Sequence, residues 1–245
     1  PIFFNSPPYA ESPLNLRSHA VHTGQVYKLV RETGERMVDY ERGLELYLDV
    51  YSFEGLQNSE IYRDENATGV FIGTGLNSLE IYTKLLDLGD TTRAVGLMQY
   101  LTEVYPEYWQ SHLALSGLAK LRGDTTEAVR IMRVLEDTLA SFYASNEENL
   151  FYLQDLGLAR TEIGRLTGDT ELYDEGVDLL WEAFNRNRNS GYAFRKLVTV
   201  LSQVGRTAEL RRAARLHAEY RINMQDPTVQ RILNLGRGTP SLPSP

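Results

Sequence analysis

Apolar residues recur every three or four positions over most of the chain, from Leu79 to His217. That spacing puts them on one face of an α-helix, whereas a strand alternates every second residue. Leu79, Tyr82, Leu85 and Leu86 share a face, and Ala94, Leu97, Met98 and Leu101 share the next. Leu113, Leu115, Leu118 and Ala119 are followed by Ala128, Ile131, Met132, Leu135 and Leu139. Tyr152, Leu156, Ala159, Ile163 and Leu166 are followed by Tyr173, Gly176, Val177, Leu180 and Phe184. Phe194, Leu197, Val198, Leu201 and Val204 precede Leu210, Ala213, Ala214 and His217. A glycine separates the members of each pair. Gly89-Asp90, Gly123-Asp124 and Gly168-Asp169 recur, with Gly205-Arg206 as an imperfect fourth copy, at spacings of 34, 45 and 37 residues. Glycine ends a helix in the left-handed conformation, and the Asp, or the Thr after it, caps the next helix. The pattern predicts four helical hairpins.

Residues 1–75 differ in kind. Ile2-Phe3-Phe4 and Gln25 to Val30 read as short strands, with Ser6-Pro7-Pro8 and Glu11-Ser12-Pro13 as breakers. Tyr40 to Tyr51 reads as a helix with Leu44, Tyr47 and Leu48 inward. Gly69, Gly73 and Gly75 are expected to interrupt the chain before the first hairpin.

The first hairpin resembles a tetratricopeptide repeat. Gly89, Ala94 and Pro106 stand where that family wants a small turn residue, an Ala five positions later and a Pro after the second helix. Gly123 and Ala128 repeat the first two, while three extra residues precede Gly176 and Leu210 takes the Ala offset in the fourth copy. The expected fold is all-α: a tetratricopeptide-like right-handed stack of about four helical hairpins with a small mixed N-terminal cap. The expected boundaries are a cap over 1–75, hairpins over 76–222, a capping helix over 223–235 and a flexible tail over 236–245.

Composition changes this picture little, with 42% apolar and 24% charged residues in 245. No stretch approaches 18 apolar residues. The absence of cysteine removes thiolate nucleophiles, disulfides and iron–sulfur clusters. Charge is divided: residues 1–180 carry 14 Lys/Arg against 29 Asp/Glu, and residues 181–245 carry 11 against 4. An acidic body argues against nucleic acid as a ligand. Arg206, Arg211, Arg212, Arg215 and Arg221 gather near the C-terminal end. Arg211, Arg212 and Arg215 are the candidate basic contact, for anionic head groups or an acidic partner, against a solvated helix face as the plain alternative.

Candidate chemistry is sparse. His19 and His22 stand three apart, without a third ligand nearby, and no metal site or cofactor is expected. Arg63-Asp64-Glu65-Asn66 lacks the alternating ligands of a calcium loop and reads as a turn whose Asp or Asn caps the following segment. Asn66-Ala67-Thr68 matches an N-glycosylation acceptor, a tripeptide common by chance. The glycines make no phosphate loop, and no nucleophile elbow or His-Glu-x-x-His stretch appears. Tyr100, Tyr105, Tyr108 and Trp109 offer either a binding platform or filler for the seam between hairpins.

Five stretches in order carry a second resemblance: Pro1 to Phe4, Gly24 to Val30, Tyr51 to Leu56, Ile61 to Asn66, and the first hairpin with its Gly-Asp turn. Together they resemble the soluble C-terminal tail of a family of polytopic membrane proteins similar to GT-C glycosyltransferases, one branch being protein O-mannosyltransferases. Phe3, Gln25 and Arg63 depart from that pattern. The resemblance implies a non-catalytic tail on the extracytoplasmic, periplasmic side, with the catalytic acids in a membrane region that would precede Pro1. The chain is thus expected to act as a protein-interaction scaffold, the alternative being a stand-alone tetratricopeptide-type adaptor, for which a cytoplasmic location stays open. Stacked repeats expose the first helix of each hairpin. The candidate partner contacts are therefore Asn77, Glu80, Tyr108, Gln110, His112, Arg160, Arg195 and Lys196.

Overall fold

The chain reverses at each of the four anticipated glycines. Gly89, Gly123, Gly168 and Gly205 all adopt positive φ, between 68° and 81°. A computed structural model describes residues 2–4, 16–34, 37–220 and 225–235. The breakers at 6–8 and 11–13, Arg221 and the tail at 236–245 lie outside the described residues. The fold is all-α, made of tetratricopeptide-like hairpins with a small mixed cap. Contacts divide it into two compact units, Pro1–Asn149 and Leu150–Pro245.

The first unit opens with a four-stranded sheet: β1 (Phe3–Phe4), β2 (Ala20–Thr23), β3 (Val26–Leu29) and β4 (Met37–Val38). Its order is β1-β3-β2-β4, with β3 antiparallel to β1 and β2, and β4 parallel to β2. The β2–β3 hairpin turns on Gly24, at φ 63°, and Gln25. Helix α1 (Tyr40–Glu45) then widens into a π-helical turn over Leu46–Val50, closed by the Tyr51 N–H on the Leu46 carbonyl. Leu44 and Tyr47 are buried as expected, but Leu48 is exposed. The wider turn rotates it off the face that a regular helix would bury.

Two hairpins follow: α2 (Glu65–Asp87) with α3 (Thr91–Val104), and α4 (Trp109–Leu121) with α5 (Thr125–Ser145). The second unit holds α6 (Leu150–Thr167) with α7 (Thr170–Arg186), α8 (Gly191–Gln203) with α9 (Thr207–Ala218), and α10 (Pro227–Leu233). Each turn obeys local chemistry. The N–H groups of Gly89 and Asp90 donate to Leu86 and Leu85 carbonyls, and the 123–124 and 205–206 turns repeat that pair of bonds. The Asp90, Asp124 and Asp169 carboxylates then accept from the N–H groups of Arg93, Glu127 and Leu172 at 2.9–3.0 Å. Arg206, the imperfect copy, provides no side-chain cap.

The glycines at 69, 73 and 75 do not interrupt anything. Helix α2 starts at Glu65, capped by Asp64, and runs through all three. Tertiary packing outweighs their weak propensity. Ile72, Ser78, Ile81 and Leu85 are buried on one face, and Gly75 leaves room for the Tyr108 ring, which a Cβ there would strike. The central stripe of α2 is therefore Ile72, Gly75, Ser78, Ile81 and Leu85, with Leu79, Tyr82 and Leu86 packed at its flanks. The stripes of α3, α5, α7 and α9 are buried close to where periodicity puts them, but Val204 ends exposed just past α8.

Cores form separately in the two units. In the first, Leu44, Tyr47 and Phe53 pack with Ile81, Leu85, Ala94, Leu97, Met98 and Leu101. In the second, Val177, Leu180 and Phe184 meet Phe194, Leu197 and Leu201, and Val229 and Ile232 of α10 join them. Helices α6 and α7 approach most closely, across Gly157, Gly164 and Gly176. A Cβ on Gly176 would lie 2.7 Å from the Gly157 carbonyl oxygen and the Thr161 nitrogen.

Two glycines should therefore respond in opposite ways to alanine. Gly176→Ala forces α6 and α7 apart, with an expected loss of about 1–3 kcal/mol. Gly73→Ala adds a Cβ that meets nothing within 4 Å inside a helix, and is expected to add about 0.5–1 kcal/mol. Urea unfolding of both variants beside wild type measures the pair. Equal effects would contradict the close approach.

Candidate binding surfaces

Helix α4 has an unusual buried face for a repeat helix: Ser111, His112, Ser116 and Ala119. Its polar groups are satisfied locally. The Ser116 hydroxyl donates to the Ala128 carbonyl at 3.1 Å, and His112 Nε2 lies 2.9 Å from the Pro106 carbonyl oxygen. A cleft of about 290 Å³ lies over α4, walled by α3 and α5. Leu115, Leu118, Ile131 and Val134 give it an aliphatic lining, with Val95 on the α3 side. Arg122, Glu127 and Arg130 also line it. Arg130 is held bidentate by Glu127, at 2.6 and 2.7 Å. Arg122 is exposed and makes no ion pair among the described residues.

Of the anticipated partner contacts, three are internal. Tyr108 is 1% exposed, stacked on Tyr105 with centroids 5.4 Å apart and seated on Gly75. His112 is buried at the cleft floor. Lys196 is buried against the Asp155 carboxylate, its Nζ 4.0 Å from the Tyr192 ring centroid. Burial pushes the Asp155 carboxyl up and the Lys196 ammonium down, and their mutual attraction opposes both shifts. Glu80 is half-exposed but occupied, receiving the Tyr27 hydroxyl at 3.4 Å and lying 3.7 Å from His22 Nδ1. Asn77 lies beside the same histidine. Arg160 lies 3.4 Å from Glu175, Gln110 is half-buried, and Arg195 is exposed.

The basic contact is also partly spent. Arg211 donates to the Leu235 carbonyl, and Arg212 lies 5.0 Å over the Trp181 ring. Arg215 Nε donates back to the Arg211 carbonyl at 3.3 Å, leaving Arg215 exposed. Among the described residues no three His, Asp or Glu side chains are placed to hold a metal ion. His19 lies in a short 3₁₀ turn, Leu16–His19, and His22 in β2. The Asn66-Ala67-Thr68 tripeptide sits in the first turns of α2, where the Thr68 hydroxyl is buried and accepts from Asn149 at 2.7 Å.

Periodicity could not reveal the Arg63–Glu107 ion pair. Arg63 is 6% exposed, donates to Glu107 and to the Leu56 carbonyl at 2.7 Å, and faces the Phe142 ring at 5.0 Å. Its own carbonyl accepts from the Asn146 and Asn149 amides at 2.7 and 3.0 Å. Asp64, beside it, caps α2, as the reading of this stretch as a capping turn anticipates.

No protein family matches this chain, and no curated protein does. Among solved structures, a MamA structure designated MSR-1 C2 is 16% identical, with 74% of this chain and 86% of that one covered and a TM-score of 0.34. A second MamA structure, of a mutant, is 17% identical over 82% and 85% of the two chains, with a TM-score of 0.31. A kinesin light chain from Podosopora anserina, described as having nearly identical TPR-like repeats, is 15% identical over 82% and 90%, with a TM-score of 0.31. Likeness at this level assigns no function.

The buried pair and the buried histidine generate two expectations. Arg63→Met or Glu107→Gln alone should each cost about 3–5 kcal/mol, because a desolvated partner is left behind. The double variant should cost much less than the sum, and additive losses would argue against the pair. Burial also holds His112 below the usual histidine range. The unfolded chain then binds the extra proton first, so stability is full above pH ~6.5 and falls as pH drops below it. His112→Gln should flatten that fall by at most about 1.4 kcal/mol per pH unit. Urea midpoints from pH 7.5 to pH 5 read the difference.

Proposed function

We propose that this chain is a non-catalytic protein-interaction scaffold. The carrying observation is how its chemistry is spent. The buried ionisable side chains Arg63, Glu107, Asp155 and Lys196 are tied to one another or to backbone. Meanwhile the cleft over α4 keeps an aliphatic wall and an uncommitted arginine. An apolar hollow with a charged edge suits recognition of a partner's side chains.

A finer reading rests on the resemblance of residues 1–106 to the soluble tails of GT-C-like membrane glycosyltransferases. In it the scaffold stands on the extracytoplasmic side and presents a protein to the membrane enzyme. Where the shared stretches fall supports a structural duty for them. Phe3 and Phe4 pair with Lys28 and Tyr27, the Tyr51 hydroxyl accepts the Gln25 N–H, and Asp64 caps α2. No described helix is long and apolar enough to cross a membrane, so that reading needs its membrane part elsewhere in the gene product.

A photo-crosslinking amino acid at Gln99, inside the cleft, and at Arg195, on α8, tests the scaffold in cells. A discrete adduct with one other polypeptide from at least one position is expected. The absence of any intermolecular adduct from either position would overturn the proposal. The reading frame upstream of Pro1 tests the finer version: about a dozen apolar helices of membrane-spanning length are expected. An upstream region without them would leave a stand-alone adaptor.

A further inference from the structure

The α3–α5 cleft has a chemistry narrow enough to specify its occupant. At about 290 Å³ it lies at the lower end of the range of about 300–1,000 Å³ for small-molecule pockets. It suits one or two side chains of a longer segment better than a free metabolite. Leu115, Leu118, Ile131 and Val134 give it an aliphatic wall, beside a polar one that includes Gln99 and Thr102. No Phe, Tyr or Trp ring, which would favour a planar ligand, lines it. The one buried polar ring, His112, already engages the Pro106 carbonyl. The chemistry that completes the aliphatic wall is therefore an aliphatic anchor.

Charge decides what flanks the anchor. Residues 1–149 carry 12 Lys/Arg against 22 Asp/Glu, so an acidic segment is repelled by most of this unit. The cleft departs from its surroundings. Glu127 is neutralised by Arg130, and Arg122 remains exposed without an ion pair among the described residues. A guanidinium beside an apolar hollow offers a carboxylate a bidentate partner. Arg122 also stands at the C-terminal end of α4, where a cation is favoured by the helix dipole. That role alone would leave its outer N–H groups to water and does not compete with a carboxylate.

Resting on the scaffold reading, we propose that this cleft binds an acidic, leucine-bearing protein segment, the aliphatic side chain entering between α3 and α5 and an adjacent carboxylate pairing with Arg122. The acidic surroundings serve selectivity, since an acidic segment can settle only where the sign of the surface reverses.

The test uses the full chain and three fluorescein-labelled dodecapeptides, (Ser-Glu-Leu-Glu)₃, (Ser-Lys-Leu-Lys)₃ and (Ser-Glu-Ser-Glu)₃, read by anisotropy. The first should bind saturably below about 1 mM, the weak end of specific recognition. The other two should bind at least about tenfold more weakly, as expected when a charge partner or an apolar anchor is lost. Arg122→Glu and Val134→Asp, both exposed positions, should each weaken the first peptide by about tenfold or more. Arg231→Glu, an exposed position in the other unit, should leave it within about twofold, as distant sites do. Methyl NMR of wild type with the first peptide should shift Leu115, Leu118 and Val134, which keeps the test open if a variant fails to fold. Absent saturation, equal binding of the basic peptide, or indifference to both cleft variants overturns the inference. If the cellular cross-links persist in that case, the scaffold reading stands and only the partner chemistry falls.

Discussion

A guanidinium taken out of water must find acceptors for its N–H groups, and in the first unit Arg63 draws the surrounding chain to itself for that reason. Glu107, just before α4, supplies the carboxylate, and the 56 and 58 carbonyls supply neutral acceptors. Phe71 of α2 and Phe142 of α5 close over the cation at 5.9 and 5.0 Å. The Arg63 carbonyl is in turn held by Asn146 and Asn149, beyond the end of α5. Four separate stretches thus meet at one residue. Apolar stripes bring two hairpins together but tolerate sliding; a desolvated ion pair with fixed acceptors does not.

That dependence also explains what the sequence made legible. The hairpins and their turns follow from rules that act within six residues, so Gly89, Gly123, Gly168 and Gly205 could be placed from spacing alone. The faces of the second helices are mostly apolar, as with Ala94, Leu97, Met98 and Leu101 in α3, and periodicity finds them. The first helices are harder. Gly75 and Ser78 in α2, and Ser111 and Ser116 in α4, occupy the buried face while reading as breakers or polar residues. Arg63 and Lys196 look like surface residues until partners 44 and 41 positions away enclose them. Such burial is set by tertiary contacts, which no local window contains. The cleft escaped notice for a related reason, since its walls come from three helices, α3, α4 and α5.

The two functional readings share a physical basis. The stretches that resemble a membrane-enzyme tail are consumed in strand pairing, capping and the Arg63 pin. Residues bound to such duties have little freedom to face a partner. Recognition then falls to surface that the fold does not need, where Leu115, Leu118, Ile131 and Val134 meet Arg122. Tyr108 and Lys196 are spent inside their own units, against Gly75 and Asp155.

The four turn glycines carry a further consequence. A Cβ built on Gly89, Gly123, Gly168 or Gly205 meets nothing within 4 Å, so the constraint at these corners is torsional and leaves the volume free. Chirality, then, is what excludes other residues there: an L-side chain is disfavoured at positive φ, while its mirror image is at ease. A D-alanine placed by chemical synthesis at any of these corners would keep the turn and restrict the unfolded chain. Two corners in each unit are thus positions at which handedness, more than size or polarity, decides what the fold accepts.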